Sequence, residues 1–147
     1  MNINKLNILL ADDDIDDCLF FKHAMEELLL SDQLTTVHDG EQLMRYLSDN
    51  SAHLPDVLFL DINMPRKNGL ECLSEIKQNT MLKDIPVVIF STSNPREKID
   101  MVFKNGADIY IHKPGDFSQL KQVLLHALPI AVENIYSTGS LKYILNA

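Results

Sequence analysis

The stretch "LLADDDIDD", Leu9 to Asp17, runs from strand-like apolar residues directly into five carboxylates within six positions. Two carboxylates about 4 Å apart repel by about 4 kcal/mol at an effective dielectric of about 20, equivalent to about three pKa units. A chain that crowds acids at the end of an apolar run must offset that repulsion. Part of the answer is local: Asp14 or Asp16 can cap a following helix, and Asp17 can sit in its first turn, where the macrodipole favours negative charge. Asp12 and Asp13, at the strand end itself, still need a cation.

Working outward, short apolar runs recur at "LNILLA" (6–11), "VLFLD" (57–61), "PVVIFS" (86–91) and "DIYIH" (108–112), with a weaker one at "LTTVH" (34–38). Each is bounded by polar or turn residues, as buried strands are. Helical patterns lie between them. Ile15, Cys18, Leu19, Met25, Leu28 and Leu29 share one predicted face, and Phe117, Leu120, Leu124, Ala127 and Leu128 another. Leu43 and Leu47, then Leu70, Leu73 and Ile76, mark two more, and "REKIDMVFKNG" reads as a helix stopped by Gly106. Alternating strand and helix predicts a parallel sheet covered on both faces. Five strands and five helices fit an α/β, flavodoxin-like doubly wound domain, and analogy gives the order 2-1-3-4-5.

In such a sheet ligands bind beyond the carboxyl ends of the strands, at the switch between strands 1 and 3. Asp12 and Asp13 end strand 1 and Asp61 ends strand 3, so three carboxylates from distant positions meet at one edge. Ser91 ends strand 4 and Lys113 follows strand 5, which brings a hydroxyl and an ammonium to the same edge. Clustered carboxylate oxygens suit a hard divalent ion, Mg2+ or Mn2+, that keeps several waters and takes phosphate oxygens. A carboxylate beside such an ion can attack a phosphoryl group in line, with cationic and hydroxyl groups holding the equatorial oxygens. Asp61, central between the acidic pair and the Ser91/Lys113 side, is the expected nucleophile.

"LLADDD", "LFLDINMPRKNG", "PVVIFSTS" and "GADIYIHKP" together resemble the ordered motifs of a response-regulator receiver domain of two-component signalling, from about Leu6 to Leu128. That resemblance implies that Asp61 accepts phosphoryl from a sensor histidine kinase, a phosphotransfer protein or a small phosphodonor. It implies that Asp12 and Asp13 bind Mg2+ directly or through water, and that the Asn63 backbone carbonyl is a further metal contact beside Asp61. It makes Lys113 a phosphate contact, Ser91 the switch hydroxyl and Tyr110 the aromatic switch residue, and it implies a cis Lys113-Pro114 peptide. Pro65 and Gly69 shape the turn after the nucleophile.

Composition narrows the field further. The 147 residues and formal net charge of -8 suit one acidic domain, without the basic face that nucleic acid or an anionic membrane would require. Cys18 and Cys72 lie within apolar helical patterns and read as buried thiols. With no signal peptide and no membrane span in the pattern, a cytoplasmic protein is expected. An enzymatic alternative is a haloacid-dehalogenase-type phosphohydrolase, which needs an acid two residues after its nucleophile, where this chain has Asn63. A phosphorylation-independent interaction module is the other alternative, against which Asp61, Lys113 and the acidic pair count. Residues 1–128 form the expected receiver. The remainder, 129–147, is too short for an output domain and too apolar for a disordered tail, so it is expected to pack on the domain or on a second copy in a homodimer. An unidentified downstream protein is the expected recipient of the signal.

Overall fold

The computed structural model describes residues 6–30, 33–93, 95–134 and 143–145. The apolar runs form β1 (Ile8–Ala11), β2 (Leu34–Val37), β3 (Val57–Leu60), β4 (Val87–Ser91) and β5 (Ile109–His112). All pair in parallel in the expected order 2-1-3-4-5. Every residue of β1, β3 and β4 is buried, in keeping with their apolar sequences, which only Ser91 at the end of β4 interrupts, whereas the edge strand β2 carries two threonines and is only half-buried.

The helices are α1 (Ile15–Glu27), α2 (Gly40–Asp49), α3 (Gly69–Gln78), α4 (Pro95–Lys104) and α5 (Phe117–Asn134). Strand alternation sends Ile8, Leu10, Phe59, Phe90 and Ile111 to the face covered by α1 and α5, and Leu9, Leu58, Leu60, Ile89 and Tyr110 to the face covered by α2, α3 and α4. On the first face Phe21 meets Phe59 and Phe90 edge-on, with ring centroids 5.1 and 5.6 Å away, a favoured aromatic geometry.

Three details depart from the sequence reading. The buried face of α1 is Cys18, Phe21, Ala24 and Met25, while Ile15, Leu19 and Leu29 are exposed. The 3- and 4-residue steps from Cys18 to Phe21 to Met25 follow one stripe against the sheet, with Phe21 wholly buried on it. Secondly, α5 runs through Pro129, past Leu128, to Asn134. Proline there forfeits the bond to the carbonyl of Leu125, a residue on the solvent side of the helix, while Ala131 and Val132 are buried in the core beyond it. Their packing offsets the lost hydrogen bond.

Thirdly, β6 (Tyr143–Leu145) adds a sixth parallel strand beside β5, with Tyr110 opposite Ile144. Of the apolar residues in the extension, Ile135, Tyr136 and Leu141 lie outside the described residues. No helix among the described residues is long and apolar enough to cross a membrane.

Candidate functional site

The site forms where β1 and β3 end side by side. The Asp12 N–H donates to the Val37 carbonyl and the Asp61 N–H to the Ala11 carbonyl, so the sheet ladder itself fixes both backbones. Asp12 and Asp61 are buried and Asp13 is exposed; one oxygen from each of the three lies within 4.8 Å of the others. Beyond Asp12 the acidic run turns into α1 as its caps require: the Asp14 N–H donates to Asp12 Oδ1 at 3.0 Å, and Asp14, the N-cap, accepts from the Asp17 N–H at 3.1 Å.

After Asp61 the chain doubles back at once. The Asn63 N–H donates to Asp61 Oδ1 at 3.2 Å, and the Gly69 N–H donates to the Ile62 carbonyl. A Cβ on Gly69 would lie 2.2 Å from the Asp61 carbonyl oxygen, so only glycine lets α3 begin this close to the end of β3. The Asn63 side chain donates to Ser93 Oγ at 2.9 Å. The position where a dehalogenase-type phosphohydrolase needs an acid is therefore an amide engaged in a loop contact.

Lys113 enters from the end of β5. Its ammonium donates to Asp12 Oδ2 at 2.6 Å, Asp17 Oδ2 at 2.8 Å and Asp61 Oδ2 at 3.2 Å, and its side chain is only 8% exposed. The ammonium is thus part of the answer to the crowded acids. It reaches them from a trans backbone, since the described residues include no cis peptide bond. That corrects the cis Lys113-Pro114 implied by resemblance: trans is the intrinsically favoured isomer, and the long lysine stem spans the distance without it.

The electrostatics follow from burial and pairing. Burial pushes the Asp12 carboxyl up to about 6, helped by the Asp61 charge and opposed by hydrogen bonds from Lys113 and the Asp14 N–H. For Lys113, burial works against the charged form, yet the hydrogen bonds to Asp12 and Asp17 and the charges of Asp61 and Asp12 outweigh it and move its pKa up. Behind Asp12, its carbonyl is met by His38 Nδ1 at 3.1 Å and by the Cys18 thiol at 3.4 Å. Burial pushes that thiol up to about 12, consistent with a structural cysteine.

On the far side Ser91 is wholly buried, and its Oγ accepts from the Ser93 N–H at 3.1 Å. The Tyr110 hydroxyl donates to the Ser93 carbonyl at 2.9 Å. Burial raises the Tyr110 pKa, as does the Asp61 charge, while a hydrogen bond with Ser91 lowers it. Asp12, Asp13, Asp61 and Lys113 therefore come together as the sequence predicted, with Ser91, Asn63 and Tyr110 joined through Ser93. Sequence reasoning missed Ser93, whose only signal is its place two residues after Ser91, and the ion pair from Asp17, read there only as a helix-turn acid.

The sequence profile of the response regulator receiver domain matches residues 8–125. The chain is 30% identical to response regulator Rcp1 of Synechocystis sp. over 117 residues, 77% of this chain and 80% of that protein. Among solved structures, the phosphorylated cyanobacterial phytochrome response regulator RcpA is similar, with 33% identity, a TM-score of 0.76, and coverage of 91% of this chain and 96% of that chain. The Mn2+-bound form of response regulator Rcp1 is similar too, with 27% identity, a TM-score of 0.70 and the same coverage of 91% and 96%.

Proposed function

Because the chain belongs to the response-regulator receiver family, and so to the phosphoacceptors of two-component signalling, we propose that Asp61 is the residue that carries the phosphoryl group. The observation that supports this most directly is the Lys113 ammonium held between buried Asp12 and Asp61 at the strand ends. An Asp61 oxygen attacks phosphorus, the bond to the donor's leaving group breaks in line, and that group departs with the electron pair. Lys113 then turns from carboxylate to phosphoryl oxygen, and the Ser91 hydroxyl donates to a second.

The donor set fits a divalent cation: Asp12, Asp13 and Asp61 each offer an oxygen within 4.8 Å of the others, Lys113 pairs with only two of these three, and oxygen ligands of this kind are those that Mg2+ and Mn2+ prefer. Asp12, Asp13, Asp61 and the Asn63 carbonyl would hold it. When bound it supplies the positive charge that lets an anionic carboxylate approach an anionic phosphoryl group. Tyr110 is already inside the protein, so its switch role is a change of hydroxyl partner: as Ser91 is drawn to the phosphoryl group, the 91–93 loop that holds the tyrosine moves.

A sensor histidine kinase or phosphotransfer protein in the cytoplasm supplies the phosphoryl group, and a downstream protein reads the altered surface. Residues 1–128 act as the receiver, and the extension 129–147 packs on it through the end of α5 and through β6. β6 ends the sheet among the described residues, and an edge strand is a template for pairing, so a homodimer forms through this extension. Light scattering on the full chain and on a chain ended after residue 129 tests that part; a full chain that stays monomeric at all concentrations excludes the dimer.

The central reading is tested by incubation with acetyl phosphate, with Mg2+ or Mn2+ and with EDTA. Mass spectrometry is expected to show one added phosphoryl group with the metal, none in EDTA and none in Asp61→Asn. Equal labelling of Asp61→Asn would refute the assignment.

A further inference from the structure

Lys113 has three carboxylate partners where the chemistry proposed above gives roles to only two. The third, Asp17, accepts from Nζ at 2.8 Å from the first turn of α1, and it lies outside the group of three carboxylates that can share a metal ion. Its environment differs from theirs as well. The Asp17 side chain is 37% exposed, against 1% for Asp12 and 8% for Asp61.

We propose that Asp17 is a positioning residue that holds the Lys113 ammonium in the unphosphorylated protein and sets how readily it moves to a phosphoryl group on Asp61. The inference rests on the reading of Asp61 and Lys113 given above. Asp12 and Asp61 would hold the cation, whose charge would compete with the ammonium for their oxygens, and Asp17 is the one Lys113 partner outside that group. Once a phosphoryl group stands on Asp61, the ammonium must leave Asp17. That exchange is easy for Asp17 in particular, because water can solvate a carboxylate more than a third exposed but cannot reach buried Asp12. Asp17 thus keeps the lysine from a buried, unpartnered position in the resting state and yields it when phosphoryl oxygens arrive.

The alternative is that Asp17 merely complements the helix dipole, a role shared by Asp16, which stands in the same first turn and is exposed. Beryllofluoride, which mimics the phosphoryl group, separates the two when titrated at saturating Mg2+ and followed by 19F NMR. Asp17→Asn is expected to bind it about three- to tenfold more tightly than wild type, the range for loss of one charge-assisted, partly exposed contact. Asp17→Glu, which keeps the charge, is expected to return towards wild type, and Asp16→Asn, which removes the same charge from the same turn, to leave affinity unchanged. Unchanged or weaker binding by Asp17→Asn, or an equal gain in Asp16→Asn, overturns the positioning role. Wild type that fails to bind, or Asp61→Asn that binds as well, overturns the reading of the site itself and this inference with it.

Discussion

Asp12 is a residue whose two tasks conflict. It must be buried to sit at the switch point of the sheet, and burial pushes its carboxyl up to about 6; in the role proposed for it, it must also be ionised to bind a cation. Proton and metal compete for the same oxygens. The folded-state pKa lies above the ordinary 3.8, so the folded chain holds more protons than the unfolded one between about pH 4 and 6. Asp12 therefore contributes stability that is fully present below about pH 4 and lost as pH rises towards 6. Cation affinity has the opposite slope. Mn2+ measured by titration calorimetry is expected to bind about tenfold more weakly at about pH 5 than at about pH 7, and Asp12→Asn to bind weakly at both. Wild-type affinity that is flat across that range would show that Asp12 is already ionised by its lysine and acts only as a fixed charge.

At the scale of elements, helix ends show what the sequence disclosed and what it withheld. Gly106 was legible as the stop of α4, and it sits at φ 102 with its N–H on the Phe103 carbonyl and the Ala107 N–H on that of Val102. α1 ends in the same hydrogen-bond pattern, Leu29 to Glu26 and Leu30 to Met25, but Leu29 takes the left-handed position at φ 61. No sequence rule marks a leucine for that place, because the left-handed conformation is unfavourable by about 1–2 kcal/mol for an L-residue. Being 81% exposed, Leu29 gains little from packing. Leu29→Gly is thus expected to stabilise the protein by about 0.5–1 kcal/mol after the entropy of glycine is deducted, read as a higher urea midpoint with unchanged slope. A loss of stability would mean that the Leu29 side chain is held by contacts worth more than the strain. The strand ends were legible for a simpler reason: Asp12, Asp61, Ser91 and Lys113 each follow an apolar run, and a parallel sheet aligns such ends. Asp17 and Ser93 were not, because their partners, Lys113 and Tyr110, are distant in sequence and no periodicity links them.

For the whole molecule, the question is how a phosphoryl group on Asp61, as proposed, would be felt at the far edge of the sheet. The contacts form one chain: Ser91 to the Ser93 N–H, the Ser93 carbonyl to the Tyr110 hydroxyl, and Tyr110 on β5 opposite Ile144 on β6. Spatial continuity alone does not establish coupling; a switch needs an element with two arrangements, and the loop 91–93 with the tyrosine hydroxyl is the candidate. If Ser91 leaves the Ser93 N–H for a phosphoryl oxygen, that loop loses an anchor and the hydroxyl its fixed acceptor. Amide NMR on adding beryllofluoride with Mg2+ is then expected to show shifts at 12–13 and 61–69, through 91–116, and on to 143–145 by way of the β5–β6 register. Tyr110→Phe keeps the ring and removes the hydroxyl, so it should bind the same reagent while the shifts beyond residue 93 shrink. If wild-type shifts stop at the residues that hold the anion, the contacts are structural and β6 is a passive edge; if they spread equally in Tyr110→Phe, the signal travels through backbone strain in β4 and β5 and not through the hydroxyl.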